Sequence, residues 1–146
     1  MQTRRDNPGS AVLDGKLYAF GGRTRNADGA TLNGTLSSVE MYDPATNEWT
    51  PRAPMPTGRR TFAVGTLEGR AQVMGGERTV SGETFIQNEE YDPVTNSWRP
   101  LEQMVTARHG TASATINGFV FVAGGGPSAG TSFTTVNEAF TYESAG

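Results

Sequence analysis

Cysteine is absent from this 146-residue chain, and histidine occurs only once, at His109. No disulfide can therefore stabilise the fold within the chain. Zinc-type sites built from cysteines or from several histidines are excluded, and a Ser-His-Asp relay would have to use His109. The repeat described below puts His109 in register with Arg60 and Asp6, so we expect a solvated or loop histidine, with no catalytic residue, no metal site and no cofactor.

Long apolar runs and clustered positive charge are also missing. No segment approaches the roughly 18 apolar residues of a membrane span, and the first residues lack the apolar stretch of a signal peptide. The net charge of −3 disfavours nucleic acid as the main partner, because phosphate binding needs a clustered positive surface. We therefore expect neither a membrane nor a nucleic-acid partner. The compartment is not fixed by these observations, and the cytoplasm is slightly favoured.

The sequence does contain an internal repeat. The segment Met55-Pro-Thr-Gly-Arg59 recurs 49 residues later as Met104-Val-Thr-Ala-Arg108, and the same offset separates Trp49 from Trp98. A first copy starts at Met1 and carries five extra residues. Repeats of this length are typical of stacked supersecondary units, each of which buries its apolar face against the next. We therefore predict three units, at residues 1–54, 55–103 and 104–146.

The local signals within each copy are typical of β-structure. Short apolar runs, such as Phe119-Val-Phe-Val-Ala123, precede a Gly-Gly pair and predict buried strands. Asp14-Gly15 and Asn117-Gly118 are preferred pairs for a two-residue type I′ turn. The segment Asp-Pro-x-Thr-Asn predicts a second reversal, in which Asp caps the turn and Asn accepts a left-handed conformation. Four short antiparallel strands per copy fit a propeller blade, and the extra residues of the first copy predict a longer loop over residues 23–38.

Three motifs together, the Gly-Gly pair, Tyr-Asp-Pro-x-Thr-Asn-x-Trp and Met-x-x-x-Arg, resemble the kelch repeat. The resemblance covers almost the whole chain. It implies an all-β fold of four-stranded antiparallel sheets, arranged radially as the blades of a kelch-type β-propeller, here a partial propeller of three blades. It also implies that the glycine pairs end the second strand of each blade and that aromatic residues pack between blades. These residues are Gly21, Gly22, Gly75, Gly76, Gly124, Gly125, Tyr42, Tyr91, Trp49 and Trp98.

The third copy departs from this pattern. Phe140 stands where tyrosine is expected, Thr141 and Tyr142 replace Asp-Pro, and a third tryptophan would fall one residue beyond the sequence. We therefore expect the third blade to lack its fourth strand. Because three blades cannot close a ring, both end blades would present apolar faces and unpaired edges to water, which proteins avoid.

One arginine and one glutamate recur once per copy. A residue repeated in the same register is better explained by a role repeated in every blade than by catalysis. We expect each glutamate to meet an arginine within or between blades, since removing one partner of such a partly buried pair is costly. The residues are Arg5, Arg59, Arg108, Glu40, Glu89 and Glu138.

These features together favour a protein-interaction or scaffold module rather than an enzyme, in which two chains close a six-bladed ring as a homodimer. Two alternatives stay open: a fragment of a larger kelch propeller, and a non-metal sugar isomerase or mutarotase of the kelch type. Besides a second copy of itself, the chain is expected to bind a protein rather than a glycan. Function concentrates in variable loops on a rigid scaffold. The variable loops here follow the second and fourth strands of each blade and share one side, the loop-bearing side, on which kelch proteins resembling this chain bind partners. The candidate contacts there are Arg23, Arg25, Asp28, Arg78, Glu83 and Phe133.

Overall fold

The computed structural model describes residues 1–25, 32–78 and 81–142. In these ranges the chain is all-β and forms no helix. None of the described segments therefore provides a helix that could cross a membrane. In chain order the strands are β1 (Gly9–Leu13), β2 (Lys16–Phe20), β3 (Arg23–Arg25), β4 (Leu32–Thr35), β5 (Val39–Asp43), β6 (Glu48–Arg52), β7 (Ala63–Leu67), β8 (Arg70–Met74), β9 (Asn88–Asp92), β10 (Ser97–Pro100), β11 (Ala112–Ile116), β12 (Phe119–Ala123) and β13 (Asn137–Phe140).

The strands form three consecutive antiparallel sheets, which we call blades 1, 2 and 3. Blade 1 has the order β1-β2-β5-β6, and blade 2 has the order β7-β8-β9-β10. Blade 3 has three strands among the described residues, in the order β11-β12-β13. The same strand order thus recurs along the chain, and the predicted all-β architecture of propeller blades is confirmed.

The turns inside the blades have the predicted backbone geometry. Asp14 and Gly15 both have positive φ angles, 48° and 70°, and the equivalent pairs of blades 2 and 3 do as well. Two consecutive residues with positive φ are characteristic of the type I′ hairpin, whose twist matches that of the flanking strands. At the second reversal of blade 1, the Asp43 carboxylate accepts a hydrogen bond of 2.9 Å from the Ala45 N–H. Asp therefore caps this turn as predicted.

Blades 1 and 2 pack face to face through aromatic rings. The rings of Phe20 in blade 1 and Trp98 in blade 2 have centroids 5.8 Å apart, and those of Tyr18 and Tyr91 are 5.6 Å apart. Phe20 and Tyr91 are fully buried. Burying one large apolar side chain contributes about 1.5–3 kcal/mol, so this aromatic cluster is a main source of cohesion between the two sheets.

Blades 2 and 3 approach each other closely at their first strands. A Cβ atom on Gly65 would overlap the side chain of Val120, so the glycine allows the two sheets to touch. Nearby, the Ser113 hydroxyl donates a hydrogen bond of 3.0 Å to the carbonyl oxygen of Val64. The first strand of blade 2 contacts the first strands of both neighbouring blades. Small residues in the first strands therefore suit a radial array that narrows toward its axis.

The segment predicted as a long loop, residues 23–38, contains two short strands instead. β3 pairs antiparallel with β4, with Arg23 opposite Thr35 and Arg25 opposite Leu32. The main chain of Arg23 also exchanges two hydrogen bonds of 2.8 Å with Asp6. The prediction of a loop was wrong because main-chain hydrogen bonds join β3 to β4 and Arg23 to Asp6, which a polar, glycine-containing composition does not reveal.

Candidate interaction surface

Each blade holds an arginine–glutamate pair at the same position. In blade 2, Arg59 Nη2 lies 2.6 Å from Glu89 Oε2, and Arg59 Nη1 donates to the carbonyl oxygens of Gly75 and Gln87. The predicted pairing is confirmed in all three repeats, and in each the two partners belong to the same repeat. The equivalent pairs, at 2.7 and 2.8 Å, are Arg5 with Glu40 and Arg108 with Glu138.

These pairs support the scaffold and expose none of the arginine charge. The three arginine side chains are completely buried. Burial raises the pKa of Glu40, but hydrogen bonds from Arg5 and from two main-chain N–H groups outweigh it, so the pKa lies below its ordinary value. Each arginine is committed to a glutamate and to main-chain carbonyl oxygens of its own repeat. The described part of the chain also holds no group of three or more His, Asp or Glu residues placed to bind a metal ion.

A second repeated position lies immediately after these arginines. There, one residue per repeat forms an antiparallel bridge with the residue that follows the Gly-Gly pair. The bridged pairs are Asp6 with Arg23, Arg60 with Glu77, and His109 with Gly126. In blade 1 the acidic Asp6 precedes the basic Arg23 in the sequence, whereas in blade 2 the basic residue, Arg60, precedes the acidic one. The ion-pair distances are 2.7 and 2.8 Å. The backbone contact is thus repeated while the side-chain chemistry varies from blade to blade.

His109 lies outside the named strands, as predicted for a loop histidine, but it is buried and not solvated. Its Nδ1 lies 3.0 Å from the carbonyl oxygen of Gly126, and its Nε2 lies 2.8 Å from that of Gly130. Glu77 Oε2 is 3.7 Å from the same Nε2. His109 aligns with Arg60, which pairs with Glu77 in blade 2, so a change of residue type between copies did not imply a solvated position.

Three of the predicted contact residues lie on loops of blades 2 and 3. Arg78 and Glu83 form an exposed ion pair at 3.5 Å, and the Arg78 guanidinium lies 5.4 Å from the centroid of the Phe85 ring. Phe133 is 89% exposed, which is unusual for a large aromatic side chain. The loops of blades 2 and 3 therefore expose an aromatic ring, a positive charge and a negative charge.

The other three predicted contacts belong to the inserted segment of blade 1. Arg23 is ion-paired with Asp6 and largely buried. Arg25 is exposed at the end of β3. Asp28 lies outside the described residues. The structure thus brings Arg23 and Arg25 onto the short β3–β4 hairpin, close in sequence to the Gly-Gly pair of blade 1.

A buried polar cluster between blades 2 and 3 escaped the sequence reasoning. Glu90 is buried and accepts hydrogen bonds from Arg99, Tyr142 and Gln72. Burial raises the pKa of Glu90, but these hydrogen bonds outweigh it and hold the pKa below its ordinary value. Burial and the hydrogen bond to Glu90 raise the pKa of Tyr142 to about 12. The one available signal was the presence of Tyr142 where the other copies have proline.

The outer faces of the two end blades are apolar. On blade 3, Ile116 and Phe119 are 54% and 42% exposed and lie opposite each other on neighbouring strands. On blade 1, Tyr42 and Trp49 stand in register with Tyr91 and Trp98 of blade 2. Their rings are tilted by 37° and have centroids 5.3 Å apart, and in the described ranges neither ring contacts an aromatic residue of another blade. Exposed apolar patches of this kind mark interaction surfaces.

Consecutive antiparallel sheets that share one strand order, with the first strand of blade 2 in contact with those of both neighbours, are typical of the blades of a β-propeller. Residues 4–56 match the family described as the Kelch motif, and similar curated proteins are kelch-like proteins. The kelch repeat predicted from the sequence is thereby confirmed.

The similar proteins are much longer than the segment they share with this chain. Kelch-like ECH-associated protein 1A of Danio rerio is 41% identical over 68 residues, which is 47% of this chain and 11% of that protein. Influenza virus NS1A-binding protein homolog of Mus musculus is 41% identical over 76 residues, 52% of this chain and 11% of that protein. Kelch-like protein 33 of Homo sapiens is 42% identical over 65 residues, 44% and 11% respectively. The matches thus span about a tenth of the length of these relatives.

Proposed function

We propose that the chain is a non-catalytic protein-interaction module whose three blades, at residues 1–54, 55–103 and 104–146, close a six-bladed ring with a second copy. In this assembly the loop-bearing side of the ring receives a protein partner. The observation that supports ring closure is that the two ends of the blade series carry complementary halves of the contact that joins neighbouring blades.

That contact is a main-chain hydrogen bond beside each Gly-Gly pair. The Gly22 N–H donates to the Arg59 carbonyl oxygen at 2.9 Å, which joins blade 1 to blade 2. The Gly76 N–H donates to the Arg108 carbonyl oxygen at 2.7 Å, which joins blade 2 to blade 3. The bond is therefore a standard element of the interface between blades in this chain.

One donor and one acceptor of the same kind are left over at the ends. The donor in register on blade 3 is the Gly125 N–H, and the acceptor in register on blade 1 is the Arg5 carbonyl; in the described ranges neither makes this bond. The Arg5 side chain is completely buried, yet the residue as a whole is partly exposed, so its main chain faces solvent. A second copy would join the two groups.

Methionine packing follows the same pattern. Met55 is 2% exposed and lies against Gly21 at the interface of blades 1 and 2. Met1, in register with Met55, is 52% exposed. Gly124, in register with Gly21, has no atom closer than 3.7 Å to the position that a Cβ would occupy. In the proposed ring, Met1 of the second copy would fill the space beside Gly124, as Met55 fills the space beside Gly21.

The apolar end faces supply the rest of the proposed interface. A head-to-tail contact that closes by rotation uses one face of blade 3 and the opposite face of blade 1. Gly65 contacts Val120 between blades 2 and 3, and the residues in register across the closing interface are Ala114 and Leu17. Both are exposed in the single chain, and ring closure would bury them together.

Cysteine cross-linking tests this register, since the natural chain has no cysteine. A variant carrying Ala114→Cys and Leu17→Cys is expected to form a disulfide-linked dimer on mild oxidation, because the two Cβ atoms approach within bonding range. A control variant carrying Leu17→Cys and Val94→Cys should remain largely uncross-linked, since Val94 lies on an exposed turn of blade 2. Equal rates of cross-linking in the two variants would contradict the proposed closure.

The proposed protein partner is supported by the exposed ring of Phe133, by the exposed ion pair of Arg78 and Glu83, and by a relative whose name records binding to the viral protein NS1A. The expected effect of Phe133→Ala is the loss of a partner that the natural chain captures, with Val94→Ala as the control at an equally exposed apolar residue. Quantitative mass spectrometry of captured proteins measures this. A set of captured proteins that is unchanged by Phe133→Ala would count against the loop-bearing side.

A further inference from the structure

Asparagine stands at four left-handed positions in the described part of the chain. Asn7, Asn47, Asn96 and Asn117 have φ angles of 53°, 58°, 51° and 50°, and all four are exposed. An asparagine side chain is chemically labile, because the main-chain nitrogen of the next residue can attack its amide carbon. The four positions differ in the two features that control this reaction, which are the next residue and the partners of the carboxamide.

Asn117 is followed by glycine, which leaves the attacking nitrogen accessible. Asn117 and Gly118 form the turn between β11 and β12 and join the paired residues Ile116 and Phe119. The Gly118 N–H donates no hydrogen bond within the described ranges, and nothing lies within 4 Å of the position that a Cβ on Gly118 would occupy. The nitrogen can therefore lose its proton to solvent and approach the Asn117 side chain without steric hindrance.

The carboxamide of Asn117 is also free to rotate. No described residue forms a hydrogen bond with its side chain. Asn96, by contrast, accepts hydrogen bonds at Oδ1 from the Tyr91 hydroxyl at 2.8 Å and from the Ala53 N–H at 2.9 Å. These bonds fix the orientation of the Asn96 side chain, so it cannot turn toward the next main-chain nitrogen while the fold is intact.

The remaining two asparagines are protected in other ways. Asn47 Oδ1 accepts a hydrogen bond of 2.9 Å from the Tyr42 hydroxyl, and the bulkier Glu48 follows it. Asn7 precedes a proline, whose nitrogen carries no proton to lose and is therefore no nucleophile. Among these four described residues, Asn117 alone combines a free carboxamide with an accessible nitrogen.

The place of Asn117 in the hairpin allows the opening that the reaction needs. The new ring cannot form while Asn117 keeps its turn conformation, so the tip of the hairpin must open locally. Exposed segments with few buried contacts open at low free-energy cost. Asn117, Gly118 and the flanking Ile116 and Phe119 are all exposed in the single chain.

We propose that Asn117 is a site of spontaneous modification, at which the Gly118 nitrogen attacks Cγ of Asn117. The nitrogen loses its proton, an N–Cγ bond forms, and the Cγ–Nδ2 bond breaks with release of ammonia. Water then opens the five-membered imide at either of its carbonyls. Opening at Cγ gives an aspartate, whereas opening at the main-chain carbonyl gives an isoaspartate, in which the chain runs through the former side chain. This inference concerns one turn of the single chain and is independent of ring closure.

The two products affect blade 3 differently. Blade 1 has Asp14-Gly15 at the same position, with the same left-handed geometry, so the aspartate product keeps the turn. The isoaspartate product adds one main-chain carbon between Ile116 and Phe119. Because the two-residue turn sets the register of the hairpin, this product weakens the pairing of β11 with β12.

Ageing of the full natural chain, followed by peptide mass spectrometry, tests the assignment. The chain is kept in mildly alkaline buffer, which favours loss of the amide proton, and is digested at acid pH, where the reaction stops. We expect Asn117 to convert with time into two products of equal mass, heavier than the asparagine form by the exchange of NH2 for OH. Asn47 and Asn96 should stay unchanged over the same time. In urea, where the Tyr91 hydrogen bond is lost, Asn96 should begin to convert.

Two variants complete the test. Asn117→Gln should lose the reaction at this position, since its longer side chain would have to form a six-membered ring. Asn117→Asp should melt as the natural chain does, whereas the isoaspartate form, isolated by ion exchange, should melt at least about 2 °C lower. The proposal is overturned if Asn117 stays unchanged, if Asn47 or Asn96 converts as fast in the folded chain, if urea does not speed conversion of Asn96, or if the isoaspartate form melts with Asn117→Asp.

Discussion

The main-chain N–H of Gly76 donates to the carbonyl oxygen of Arg108 at 2.7 Å, so the glycine pair of blade 2 is joined directly to the backbone of blade 3. Its neighbour Gly75 has a φ angle of 67°, and a Cβ there would lie 2.6 Å from the same carbonyl oxygen. Glycine is therefore required at position 75 by backbone conformation and also by the close approach of the next blade.

Replacing Gly75 by alanine should destabilise the chain more than the same change at Gly69. Gly69 also has a positive φ, 74°, but nothing lies within 4 Å of its Cβ position, so Gly69→Ala costs only the left-handed conformation, about 1–2 kcal/mol. Gly75→Ala adds the overlap with the Arg108 carbonyl, a further ~1–3 kcal/mol. Urea unfolding measures both values. Equal losses of stability would show that the blades do not approach each other as described.

The buried pair of Arg59 and Glu89 should contribute far more to stability than the exposed pair of Arg78 and Glu83. Arg59→Met leaves a buried carboxylate without its cation, and we expect a loss of about 3–5 kcal/mol in the free energy of unfolding. Arg78→Met breaks an exposed pair and should cost less than about 1 kcal/mol. Chemical denaturation of the two variants provides the comparison. A loss at Arg59 no larger than that at Arg78 is the contrary result.

The fall in the free energy of unfolding at acid pH should depend on Glu90. Because its pKa is lower in the folded chain than the ordinary value of 4.5, ionised Glu90 stabilises the fold above about pH 4.5, and this contribution is lost as the pH falls through the folded pKa. We therefore expect the free energy of unfolding of Glu90→Gln to change less between about pH 6 and pH 3 than that of the natural chain. Glu48→Gln, at an exposed position, is the matched control. An unaltered pH dependence in Glu90→Gln would contradict the described hydrogen bonds.

Features that repeat with the copies could be predicted from the sequence. The Asp14-Gly15 turn depends on two adjacent residues, and its positive φ angles follow from their chemistry. The pairing of Arg59 with Glu89 could be inferred because both residues recur in a fixed register, so one contact had to serve every copy. The recurrence of both residues in every copy was therefore enough to predict a contact between residues far apart in the sequence.

Features that occur once could not be inferred in this way. Among the described residues, a separate two-stranded sheet, β3 with β4, occurs in blade 1 alone, and His109 is buried against the carbonyl oxygens of Gly126 and Gly130. Tyr142 reaches Glu90 across the interface between two blades. Each of these contacts joins segments far apart in the sequence, and the side chains at these positions differ from copy to copy, so the chemistry of one copy does not predict that of the next.

Solution mass by light scattering after size exclusion tests ring closure most directly. The natural chain should elute as a dimer of twice 15.5 kDa. Gly124→Ala should give a folded single chain, because the added Cβ would meet the Arg5 carbonyl oxygen of the second copy as a Cβ on Gly75 would meet that of Arg108. Gly118→Ala, with nothing within 4 Å of its Cβ position, should remain dimeric. A natural chain that is folded and has a mass of 15.5 kDa would contradict the proposal.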